Sequence, residues 1–260
     1  MKNKKVMLTI LASLLFTSLI GCQAPRPNPV PSPAPSPVPS TQSYNIKPQN
    51  LAENVQKVVP VPTQLGVIRT NAEGIFADSA NQDWKKVASR MNLIKTSFND
   101  LKSTRYNNAT SASTKIMNGL GTAINNLNKQ INAKKVYETR FDANQLIKYL
   151  PEAYNLAQPS ATSDFIRLGY LGREIDLNVE KSQWLNAKSN FNSAINIWSK
   201  LKGKISSSFS TDVNNFNTTM TDLERSIGSK SATDARNYAK LMLDRLGILE
   251  NDMTKQSGSK

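Results

Sequence analysis

Trp84, Val87, Met91, Ile94, Phe98 and Leu101 follow one another at steps of 3, 4, 3, 4 and 3 residues, with polar residues between them. That spacing sets six apolar side chains on one face of a helix. The same face returns 100 residues later as Trp184, Ala187, Phe191, Ala194, Trp198 and Leu201. A second match has an offset of 96: Leu120, Ile124, Leu127 and Ile131 correspond to Phe216, Met220, Leu223 and Ile227. A third keeps that offset and pairs Arg140, Ala143, Leu146 and Leu150 with Arg236, Ala239, Met242 and Leu246. The drop from 100 to 96 predicts a link four residues shorter after the Trp184 helix, a change that a loop tolerates. A less similar segment precedes each Trp helix. It runs from Asp164 to Val179 in the second copy, with Phe165, Leu168, Leu171 and Ile175 on one face. In the first copy it runs from about Leu65 to Ala77, where Gly66 and Gly74 weaken the helix.

Strand-like alternation is absent, and after Pro62 the remaining prolines, Pro151 and Pro159, fall between periodic segments. The pattern predicts an all-α fold of two tandem helical-bundle repeats, 63–160 and 161–254, each of about four helices and packed end to end. Residues 255–260 are expected as a disordered tail. The stretch Tyr170-Leu171-Gly172-Arg173-Glu174-Ile175, followed by Trp184 and Trp198, resembles tandem helical-repeat lipoproteins of low-GC Gram-positive bacteria. It is more distantly similar to the extracytoplasmic helical domain of some iron permeases. The resemblance spans roughly residues 65–250, and the first copy lacks the Arg173-Glu174 pair. It implies a helical domain outside the cytoplasm and no assigned activity.

A different pattern rules the N-terminus. Lys2, Lys4 and Lys5 precede an uncharged run from Val6 to Ile20. A membrane-spanning helix needs about 20 apolar residues, so this run fits a signal-peptide core better. It closes on Leu19-Ile20-Gly21-Cys22, which resembles a bacterial lipobox. The resemblance implies recognition of Leu19, Ile20 and Gly21 by signal peptidase, cleavage after residue 21, and lipidation of Cys22 with acyl chains such as palmitate. A plain signal peptide followed by a chance Cys is the alternative. The spacing, the absence of any other Cys and the tether that begins at once oppose it. From Pro25 to Pro39 every second residue is proline, which excludes helix and sheet and favours polyproline II. Such a spacer spans roughly 45 Å at about 3.1 Å per residue. Residues 22–62 are therefore expected to be a lipidated tether for the bundles.

Composition then narrows the chemistry. With no His and a single Cys, the chain excludes His-based triads, Cys-His catalysis, any His metal site, a Cys cluster for zinc or iron–sulfur, and an intramolecular disulfide. The best helical carboxylate pairs are Glu138/Asp142 and Asp176/Glu180, read as solvated helix faces rather than a calcium site or an acid/base pair. No metal, cofactor or catalytic residue is expected, and the protein is not expected to be an enzyme. Trp84, Trp184 and Trp198 lie on periodic apolar faces and are read as core rather than as a sugar-stacking platform. Arg140 and Arg236, at matching places, are candidate anion contacts, with a salt bridge inside each repeat as the competing reading.

The net charge of +14 would suit a nucleic-acid binder, but the export signal argues against that partner. Anionic envelope polymers, the membrane through the lipid on Cys22, or another envelope protein fit better. The expected role is binding or scaffolding without catalysis on the extracytoplasmic face of a bacterial membrane. The alternative is a solute- or metal-binding accessory of a transporter, which a polar cluster within the helical body would favour.

Overall fold

In the computed structural model, which describes residues 61–104 and 110–258, four residues outside glycine adopt left-handed backbone geometry. They are Gln82 (φ 56°), Lys134 (51°), Ser182 (56°) and Lys230 (54°). Each ends a helix in a Schellman turn, in which two successive N–H groups reach back to orphan carbonyls. At the first of these, Gln82 donates to the Ser79 carbonyl and Asp83 to that of Asp78, both at 3.0 Å. The next helix starts at once in every case. Gln82 and Ser182 are 100 apart, and Lys134 and Lys230 are 96 apart, the two offsets of the hydrophobic pattern.

Nine α-helices form among the described residues, and no strand. They are α1 (Thr63–Ala80), α2 (Trp84–Ser103), α3 (Ser111–Asn132), α4 (Val136–Ile147) and α5 (Leu150–Ala157), then α6 (Ala161–Glu180), α7 (Trp184–Leu201), α8 (Ser210–Gly228) and α9 (Ala232–Gly258). The fold is all-α. The Asp83 carboxylate caps α2 by accepting from the Lys86 N–H at 3.2 Å. Pro151 lies in the first turn of α5, where a missing N–H costs nothing. The shorter second link consists of two 3-10 turns, Lys202–Lys204 and Ser207–Phe209, in place of helix ends. The signal segment with Leu19, Ile20 and Gly21, Cys22 and the proline spacer lie outside the described residues. So does most of the first link. Helix α9 runs to Gly258, four residues into the expected tail.

Helix α1 packs on α2 and α4, α2 on α3, and α3 on α4; α6 packs on α7 and α9, α7 on α8, and α8 on α9. Each set encloses its own apolar core. The first holds Leu65, Ile68, Ile75, Ile94, Leu120 and Leu146; the second holds Phe165, Leu168, Phe191, Trp198, Phe216 and Met242. The halves do not meet end to end. Helices α4 and α5 lie along α6, and α6 feeds both cores: Ile166 and Leu177 face the first, Phe165, Leu171 and Val179 the second. This double duty buries α6 almost all round.

Gly74 does not weaken α1 without purpose. A Cβ there would fall 2.3 Å from the Arg90 guanidinium, which lies across α1 and donates to Asp78 at 2.7 Å. Gly172 similarly admits Leu243, whose Cδ2 would lie 2.9 Å from a Cβ and so fixes the approach of α9 to α6.

Candidate functional site

On α6, Asp176 and Glu180 stand one turn apart and face out of the second core toward α4 and α9. Arg140 reaches them from α4, donating through Nη2 to Asp176 and through Nη1 to Glu180. Arg236 reaches the same pair from α9, with Nε 2.8 Å from Asp176 and Nη2 3.4 Å from Glu180. The two matched arginines therefore share one acidic pair. The expectation of a salt bridge inside each repeat fails for Arg140, whose partners belong to the other half. The reading of Asp176/Glu180 as a solvated face fails with it. Arg140 is 3% exposed, and its guanidinium carbon sits 4.6 Å from the Phe76 ring centre, a cation–π contact.

One turn away along α6, a second network crosses between the halves. Arg173 Nη2 donates to Glu73 on α1 at 2.6 Å. Glu73 also accepts from Arg69 Nε at 3.2 Å. Arg69 then grips Glu250 of α9 with both Nη atoms, at 2.5 and 2.6 Å. Burial lowers the pKa of Arg69, but Glu250 and Glu73 outweigh it, so the group is held even more firmly protonated than usual. Burial alone would raise Glu73; the charges of Arg173 and Arg69 prevail and hold it below the ordinary carboxylate value. For Arg173, burial wins over Glu73 and pulls the pKa down.

Between α1, α6 and α9 these side chains line an open cleft of about 850 Å³. Its floor carries Arg173 and Phe76, and its walls Arg69, Arg236, Lys240 and Asp244. Arg173 is 5% exposed, yet its Nε has no partner among the described residues. A shallower groove of about 660 Å³ runs between α2 and α3, and a small one of about 200 Å³ lies beside Trp198.

Of the three tryptophans, Trp198 is buried, meets Phe216 in a tilted ring contact with centroids 4.3 Å apart and donates to Asn217 at 2.8 Å. Trp84 and Trp184, expected in the core, lie half-buried at its edge. Each is the first residue of its helix, at the end of the apolar stripe. Glu138 is exposed, and the Asp142 pKa is raised by burial. No group of three or more acidic or Cys side chains is gathered for a metal among the described residues. No described helix is long and apolar enough to cross a membrane.

The pattern missed Arg69, Glu73, Arg173, Lys240 and Glu250. A signal for one pair was present: Glu73 and Arg173 carry opposite charge at positions 100 apart. Comparison with protein-family models, curated proteins and solved structures finds no match to this chain.

Proposed function

We propose that this chain is a lipid-anchored extracytoplasmic protein that binds without catalysis, and that the cleft between α1, α6 and α9 is its binding site. The cleft is the observation that carries the reading. Its volume lies in the range of small-molecule sites, about 300–1,000 Å³. Its arginines converge from helices of both halves, so the site depends on the complete helical body. The absence of catalysis is supported by the state of three of its four acids, Asp244 being the fourth. Glu73, Asp176 and Glu250 are each tied to arginine. Glu73, which the charges of Arg173 and Arg69 hold below the ordinary carboxylate range, is a poor general base near neutral pH. The chain offers no His and no Cys beyond Cys22 as base or nucleophile.

The anchor rests on Leu19-Ile20-Gly21-Cys22 and the proline spacer that follows. Two or more acyl chains hold a protein on a bilayer where one does so only marginally. Cys22→Ser should shift the protein from the membrane fraction to the soluble one, or leave an uncut precursor of higher mass. Unchanged detergent partitioning together with an unchanged mass would overturn the anchor. A second reading, a solute-binding accessory of a transporter, is favoured by the polar cluster between the two apolar cores.

A further inference from the structure

We propose, on the reading of the cleft as a binding site, that its ligand is a small dicarboxylate, whose acid groups stand in for carboxylates that α1 lacks. Glu73 and Arg173 occupy corresponding positions at the 100-residue offset, and they touch. Helix α4 of the first half meets α6, and its counterpart α9 reaches back to α1 through the Arg69–Glu250 pair. The two halves thus face each other about an approximate two-fold axis, and each contact has a counterpart with the roles exchanged. The contact of α4 with α6 then has its counterpart in α9 against α1.

The α4–α6 side is zipped by acids. Arg140 holds Asp176 and Glu180. Asn144 donates to Glu174 at 2.9 Å and to the Tyr170 carbonyl at 3.1 Å. Gln145 adds a bond to Glu174 at 3.0 Å. On the other side, the donors of α9 remain: Arg236 stands where α4 has Arg140, and Lys240 where it has Asn144. The acceptors are gone. Asp176, Glu180 and Glu174 are replaced on α1 by Phe76, Ala80 and Gly74. The cleft occupies the place where that second zipper would lie.

The donors left over point to an anion. Lys240 is exposed and enters none of the ion pairs seen among the described residues, although Asp244, one turn further along α9, lines the same cleft. Arg236 turns back to Asp176 and Glu180 through Nε and Nη2, leaving Nη1 without a partner among the described residues. Arg173 spends Nη2 on Glu73, while its buried Nε has no acceptor among the described residues and its guanidinium lies against Gly169. Lys240 and Arg236 are one helical turn apart, so they suit two acid groups separated by roughly 5–6 Å. The missing groups are carboxylates, and a guanidinium binds a carboxylate as a planar fork. A linear dicarboxylate with three carbons between its acid groups meets this spacing.

The test is calorimetric titration of the full-length lipidated protein in non-ionic detergent at low salt, with glutarate as probe and butyrate as its one-acid control. Glutarate should bind at least about tenfold more tightly than butyrate, and the double variant Arg236→Gln/Lys240→Gln should lose that advantage. Ala80→Glu keeps every cation but returns an acid to the exposed wall, so it should also abolish glutarate binding while the unfolding midpoint holds. Lys240→Arg should retain binding. Equal binding of glutarate and butyrate, glutarate binding untouched by Ala80→Glu, or inorganic pyrophosphate binding where glutarate does not would each overturn the assignment. The anchor is scored separately by Cys22→Ser fractionation. Failure of glutarate alone rejects the ligand class; failure of every anion with all variants alike rejects the cleft as a binding site.

Discussion

Arg140 and Trp198 are each fixed by several partners at once, and their removal should be felt at the scale of single side chains. Arg140→Ala would leave two carboxylates facing each other on α6 with only Arg236 between them. Breaking a buried ion pair on one side costs about 3–5 kcal/mol. Because Asp176 and Glu180 keep Arg236 and some solvent, the lower end of that range is expected in urea unfolding. Trp198→Ala should cost about 3–5 kcal/mol through the cavity it opens, whereas half-buried Trp184→Ala should cost clearly less. Equal losses at the two positions would contradict the burial seen here. Glu73 gives the pH signature. Its pKa is depressed in the folded state, so the stability it adds is fully present above the ordinary value of 4.5 and is lost as pH falls through the folded value. Glu73→Gln should therefore lower stability at neutral pH and flatten the acid limb of the stability curve; an acid limb parallel to that of the parent would count against it.

Among the elements, the four Schellman turns set the spacing of the helices, and each places a side chain where glycine is at ease. Left-handed backbone costs an L-residue roughly 1–2 kcal/mol. Glycine also gains freedom in the unfolded chain, which offsets part of the relief. Lys230→Gly and Lys134→Gly should thus each raise stability by about 0.5–1 kcal/mol, read as a higher unfolding midpoint with an unchanged urea slope. No such gain at either site would mean that neighbouring contacts already absorb the strain. The helices themselves were legible in the sequence because a one-sided apolar stripe repeats every three to four residues. Helix α6 was legible only in part. The stripe of Phe165, Leu168, Leu171 and Ile175 showed the face toward the second core. Ile166 and Leu177, off that stripe, turned out to belong to the first. The left-handed caps carried no glycine, so nothing in composition announced them.

For the whole molecule, the site was the least legible part. The matching of Arg140 with Arg236 could be read from spacing, but not that both reach one acidic pair. That depends on how the halves face each other, and a periodic pattern within each half does not encode this. Because ion pairs and a shared helix join the halves, heating should unfold residues 61–258 in one calorimetric transition; two resolved peaks would contradict that coupling. The exposed Gln158-Pro159 link between α5 and α6 has a further consequence. The first half keeps Arg140 but not its acids, and lacks the Ile166 and Leu177 that close its core. The second half keeps both acids with Arg236 alone. Each half therefore holds what the other is missing. Made as two separate polypeptides divided at that link, they should stay poorly structured apart and reassemble on mixing, with Arg140→Ala in the first polypeptide weakening their association.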